Sequence, residues 1–185
     1  VIVKKYIFLY ANLLGIAGIV VALDQWTKWL VRENIPFATQ WLPEGLQWLM
    51  PYARFVYWHN TGAAFGMFQN GAIIFTILAF VVIGAILIYY PQIASEGWLF
   101  RLALSLQLAG ATGNLIDRLF HDGKVTDFIS VGNFPVFNVA DSSITIGTAL
   151  LILGVWLIER KQRQAQDESD AQDNLSGEQI ALSEE

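Results

Sequence analysis

The chain has 185 residues, of which 55% are hydrophobic and 15% charged, and it contains no cysteine. Soluble domains carry roughly 25% charged residues, whereas residues 55–95 of this chain form a 41-residue stretch without a Lys, Arg, Asp or Glu. This excludes a soluble globular enzyme, a disordered protein and a nucleic-acid binder, and the missing cysteines exclude a disulfide framework, thiol catalysis and thiolate metal sites.

The formal net charge of −5 belongs to one end. Residues 1–158 hold eight acids and eight bases, and residues 159–185 hold eight acids and three bases. The first apolar segment, residues 6–23, has 18 uncharged residues, close to one crossing of a bilayer core at about 1.5 Å per residue. It is too long for a signal-peptide apolar region, and no small-x-small cleavage pattern precedes Asp24, so it is expected to stay as a membrane helix. Residues 24–71 carry five of the seven Trp, at 26, 29, 41, 48 and 58, and such rings favour the headgroup level. Residues 41–50 are half apolar and are predicted to lie on the membrane. Residues 54–59 alternate partly and predict a short strand.

A second helix is predicted over residues 72–90, stopped by Pro91, and a third over 98–116, where Arg101 can snorkel to the headgroups. Residues 125–131 and 134–137 flank Gly132-Asn133 and predict strand, turn and strand. A fourth helix is predicted over 142–158, ended by Glu159-Arg160-Lys161. The polar remainder is predicted to be a disordered tail. The chain thus divides into a four-helix membrane domain, residues 1–158, and an acidic tail, residues 159–185. Four crossings put both termini on one side. Six bases fall on the terminal side and five on the other, so the charge-bias rule places both termini in the cytoplasm.

Polar groups at the edge of a membrane segment are costly and mark function. Asp24 and Lys28 share a helix face at i, i+4, although an interfacial ion pair would do the same. Asn60-Thr61-Gly62-Ala63-Ala64-Phe65-Gly66 leads into the second helix and reads equally as a plain loop. Asn114, Asp117 and Arg118 place an amide, a carboxylate and a guanidinium on one face of the third helix. Asp127 interrupts an apolar strand, where Asp is disfavoured, and could be an edge-strand gatekeeper. Asp141 opens the fourth helix, where it would serve as an N-cap, with Asn138 three residues upstream. Together these clusters bring carboxylates from three helices to one membrane face. Two neighbouring carboxylates near lipid share one proton, which suits water activation.

Five motifs occur in order: Asp24–Lys28 (D-x-x-T-K), Asn60–Phe65 (N-x-G-x-A-F), Gly113–Arg118 (G-N-x-x-D-R), Val125–Phe128 (V-x-D-F) and Phe137–Asp141 (F-N-x-A-D). By these the chain resembles the lipoprotein signal peptidases (signal peptidase II), aspartyl proteases of the bacterial inner membrane, over residues 4–158. The resemblance implies four transmembrane helices with a small extracytoplasmic β-cradle and a membrane-lying amphipathic helix, from about residues 124–138 and 37–59. It implies cleavage of a diacylglyceryl-modified prolipoprotein before the lipidated Cys, with Asp127 and Asp141 as the catalytic pair. Asn114, Arg118 and Asn138 would line the site and orient substrate and carboxylates. Asp24, Lys28, Asn60 and Asp117 would shape or hold it. It implies no metal and no organic cofactor, membrane lipid and prolipoprotein as partners, no nucleic acid, a monomer, and an active site near the extracytoplasmic face. Residues 118–124 are about one residue longer than is common in the family, and Ser130 stands where many members have another Asp.

A proton-coupled transporter is the competing class. It predicts polar residues at mid-depth in several helices, and the second and fourth are nearly featureless there. A metal site would need His59 or His121, which lie in loops without helical ligand spacing.

Overall fold

The computed structural model describes residues 2–62 and 71–183. The predicted Ala63, Ala64, Phe65 and Gly66 of the second motif lie outside them. The elements in chain order are α1 (Ile2–Asn34), β1 (Gln40–Trp41), β2 (Ala53–Asn60), α2 (Ala72–Ile93), α3 (Trp98–Phe120), β3 (Val125–Val131) and α4 (Val139–Ser183). All four helices are long and apolar enough to cross a membrane.

Each helix outruns the apolar segment that announced it. α1 continues past Asp24 and stops at Asn34, two residues before Pro36, because a residue preceding proline is pushed out of the α region. Pro91 sits inside the last turn of α2. The chain reverses into α3 at Gly97, whose φ of 145° suits glycine alone. α4 runs unbroken across the 158/159 boundary to Ser183. The tail read as disordered therefore continues the helix, and its Ala, Gln, Glu, Lys and Arg residues have high helix propensity.

α3 is the central helix. It packs against α1, α2 and α4, and 61% of its most apolar window is buried, against 11–17% in the other three. Between apolar helices in lipid, close backbone approach and van der Waals contact hold the bundle together. Gly147 shows this: a Cβ there would lie 2.9 Å from the Ala103 carbonyl oxygen of α3. Leu9, Leu13, Ile86, Tyr90, Leu104 and Leu108 form the main core at the end of the bundle near the N-terminus.

At the other end the strands form an antiparallel sheet in the order β1-β2-β3. Trp58 pairs with Asp127, and an irregularity between Phe55 and Trp58 shifts the register. The expected strand over residues 134–137 is reduced to one bridge, Ile129 with Phe137. Val31 and Ile35 at the end of α1 pack with Phe128 beneath the sheet, which sets β3 on the ends of the helices. Residues 37–59, expected to supply a membrane-lying amphipathic helix, contain β1, most of β2 and, as their one helical element, the 3-10 turn Gln47–Leu49. Pro43, Gly45 and Pro51 interrupt any longer helix, while Trp41, Trp48 and Tyr52 stay exposed.

Candidate active site

The polar residues meet where α1, α3, β3 and the start of α4 converge. Asn138, not Asp141, is the N-cap of α4. Its Oδ1 accepts the Asp141 N–H at 2.9 Å, and its own N–H donates to Asp141 Oδ2 at 3.1 Å. This is a reciprocal capping box with Asp at the third helical position. Sequence alone favoured Asp141 as the cap, because either residue type suits that place. The box leaves Asp141 Oδ1 to accept from Asn114 Nδ2 at 2.7 Å.

Asn138 also joins the two candidate carboxylates. Its Nδ2 donates to Asp127 Oδ1 at 2.7 Å and to Asn114 Oδ1 at 3.1 Å. Asn60 Nδ2 donates to Asp127 Oδ2 at 3.1 Å, and Asn60 Oδ1 accepts the Gly62 N–H at 3.0 Å. Asp127 is only 1% exposed, so it is not a gatekeeper on a solvated edge. Burial, then the neighbouring Asp141 charge, pushes its carboxyl up to about 7, against the lowering effect of the Asn60 and Asn138 donors and of Lys28.

Behind this pair lies a buried ionic cluster. Lys28 Nζ is 2.8 Å from Asp24 Oδ2 and 3.2 Å from Asp117 Oδ2, and it donates to Asn114 Oδ1 at 3.1 Å. The Asp24–Lys28 pair is therefore not an interfacial anchor; both side chains are fully buried. With Lys28 and Asn138 both donating to Asn114 Oδ1, the Asn114 amide has to turn its nitrogen to Asp141. Asp24 Oδ1 accepts the Ala140 N–H at 2.8 Å, which ties α1 to the first turn of α4. Gly113 makes room for this, because a Cβ there would lie 2.6 Å from Asp24 Oδ2.

Three participants escaped the sequence reading. Thr126 donates its N–H to Asp117 Oδ2 at 2.8 Å, and its hydroxyl accepts from Arg32 Nη1 at 3.1 Å. Gln25 Nε2 reaches the Gly113 carbonyl at 3.0 Å and Asp117 Oδ1 at 3.2 Å. Arg32 had a signal, since it follows Lys28 by four residues on one helix face. Gln25 and Thr126 had only their polarity.

Asp127 and Asp141 both line a cavity of about 650 Å³ with Asn60, Asn114 and Arg118. Its other walls are largely apolar: Phe75, Leu78 and Val82 of α2, and Ile144 and Ile146 of α4. Arg118 lies over the Phe75 ring, 5.4 Å from its centre, and its buried Nε has no hydrogen-bond partner among the described residues. A guanidinium, two carboxylates and the amides of Asn60 and Asn114 thus face one largely apolar cleft. His59 stands apart from this set; its Nε2 is 3.0 Å from the Tyr57 hydroxyl. Burial first, then the nearby Lys124, His121 and Arg32, hold its imidazole below the usual value.

The bundle and sheet are those of a bacterial membrane enzyme. A solved structure described as a bacterial membrane enzyme, determined by the in meso method, superposes with a TM-score of 0.71 at 31% identity, covering 79% of this chain and 88% of that one. The family model for signal peptidase (SPase) II matches residues 16–157, and the chain belongs to the signal peptidase II family. It is 39% identical to the lipoprotein signal peptidase of Shouchella clausii, over 81% of this chain and 96% of that protein. It is 40% identical to the one from Symbiobacterium thermophilum, over 79% and 95%. It is 34% identical to the one from Acinetobacter baylyi, over 82% and 85%. The chain is accordingly a multi-pass bacterial membrane protease.

Proposed function

We propose that this protein removes the signal peptide from diacylglyceryl-modified prolipoproteins, cleaving before the lipidated Cys with Asp127 and Asp141 as an aspartic dyad. The observation that carries the reading is the pair itself. Asn138 bonds both carboxylates, Asp127 through its side-chain Nδ2 and Asp141 Oδ2 through its backbone N–H, at the wall of a cleft whose other sides are largely apolar.

One proton serves both groups. Asp127, buried and raised to about 7, keeps it. Asp141 stands at the N-terminus of α4, where the helix favours an anion, and is the base. Water loses a proton to Asp141 as its oxygen attacks the scissile carbonyl carbon. Asp127 gives its proton to the carbonyl oxygen, forming a tetrahedral diol. Collapse breaks the C–N bond, the leaving amine takes the proton from Asp141, and Asp127 recovers its own. Arg118 holds a substrate carbonyl, and Asn60, Asn114 and Asn138 fix the two carboxylates. Lys28, Asp24 and Asp117 hold Asn114 and the α4 cap from behind. The reaction needs no metal and no cofactor. The membrane lipid gives substrate access to the cleft from the side. The protein acts as a monomer in the inner membrane, with both termini cytoplasmic and the dyad at the extracytoplasmic end of the bundle.

Asp127→Asn and Asp141→Asn each lower cleavage of a diacylated prolipoprotein by at least about a thousandfold, measured by gel shift with purified protein in detergent. Both variants retain folding and insertion. Substantial cleavage by either one rejects the dyad.

A further inference from the structure

Gln107 is a polar residue in the apolar part of the cleft. It lies on α3, seven residues before Asn114, and so about 10 Å from it along the helix axis, away from the sheet. It lines the cavity together with Leu78, Val82 and Ile144. Its Nε2 donates to the Ile144 carbonyl at 3.2 Å and to Thr148 Oγ1 at 2.6 Å. The Thr148 hydroxyl in turn donates to the same carbonyl at 2.8 Å.

These contacts decide which way the amide faces. The Ile144 carbonyl can only accept, so the nitrogen turns to α4 and both its hydrogens are used. The Oε1 atom receives no donor from the described residues. Gln107 is half-buried and its Oε1 is open to the cleft, so an occupant that fills this apolar part would leave that acceptor unmet, at a cost, unless it brought a donor. Whatever occupies this part of the cleft is therefore favoured if it brings a donor.

The proposed substrate has two parts that could lie here. A diacylglyceryl group carries ester oxygens and a thioether, which accept and cannot donate. The signal-peptide segment carries N–H groups and, at Ser or Thr, hydroxyls. We propose that Gln107 is a specificity-determining residue whose Oε1 accepts a hydrogen bond from a Ser or Thr hydroxyl in the membrane-embedded part of the signal peptide. The inference rests on the prolipoprotein reading above. The 10 Å offset corresponds to about three residues of extended peptide or about seven of helix, so the donor lies three to seven residues before the cleaved bond.

The test uses the full chain in detergent and diacylated substrates that differ by a single Ser or Ala at each of those positions. The wild-type protein is expected to favour Ser over Ala by about tenfold in kcat/KM at one or two adjacent positions, through KM. Gln107→Met keeps length and removes the acceptor. It also removes the two bonds to α4, so the readout is the ratio: the preference for Ser over Ala is expected to fall to about one, whatever the rate on the Ala substrates. No Ser preference in the wild type, a preference that survives Gln107→Met, or an equal loss on both substrates each overturns the proposal. The last result would mean that Gln107 only ties α3 to α4. The wild-type series needs no variant to fold. Cleavage by Asp127→Asn would instead overturn the dyad reading, so the two failures are distinguishable.

Discussion

Asp127 is costly to ionise where it stands, and that cost sets a pH dependence. Burial and the adjacent Asp141 raise its carboxyl from an ordinary value near 3.8 to about 7. Below about 7 the group is protonated and can donate to the carbonyl oxygen. Above it the proton is lost and both carboxylates are charged. Cleavage is therefore expected to be sustained on the acid side of 7 and to fall about tenfold per pH unit well above it, as read from kcat/KM profiles in buffered detergent. A rate that keeps rising through pH 9 would show that Asp127 is not the proton donor. Stability follows the same sign. Between about 4 and 7 the unfolded chain has released a proton that the folded one keeps, so this group's contribution becomes less favourable as pH rises through that window. At the residue scale the sequence was informative about identity and silent about partners. Asp127 and Asp141 were legible as misplaced acids. That Asn138 caps α4 and also bonds Asp127 depends on β3 passing beside the first turn of α4.

At the scale of elements, the site is a junction of helix ends. Asp24 on α1, Gly113 on α3 and Ala140 on α4 touch at one point. Gly113→Ala would place a methyl group 2.6 Å from Asp24 Oδ2 and push that carboxylate off Lys28. Lys28 keeps Asp117 at 3.2 Å, so the loss is smaller than that of leaving a buried charge with no partner, about 3–5 kcal/mol. The variant is expected to unfold several degrees lower in a detergent thermal ramp and to lose most activity. A melting temperature within a degree of the wild type would show that the junction yields freely. Element type was legible from periodicity and apolar runs; element ends were not. α1 and α3 ran past their apolar segments, because Asp24, Lys28 and Asp117 pair within the bundle and do not need to reach water. Each was read as a helix end on the rule that charge belongs outside lipid, and the buried network reverses that rule. The 134–137 strand shrank to a bridge for a related reason: Phe137 has to deliver the chain to the α4 cap.

For the whole molecule, charge and chemistry lie at opposite ends. The net charge of −5 sits in residues 159–185, and the Asp127–Asp141 pair lies beside the sheet at the other end of the bundle. Removing the residues after Gln166 is expected to leave cleavage within about twofold of the full chain in the gel-shift assay, since long-range coupling across a rigid helix needs a two-state element that nothing here supplies. A dead truncation would assign the tail a part in catalysis. The sequence by itself determined that four helices enter a membrane, because only apolar runs of that length satisfy the backbone inside lipid. It also determined the family, because five ordered motifs are specific in combination. Only the tertiary structure decided which polar groups touch: that Lys28 stands behind Asn114, that Asn138 joins the two carboxylates, and that Gln107 faces the cleft. Those contacts join residues up to 86 positions apart, and a hydrogen bond across such a separation is set by helix packing, which local sequence does not encode.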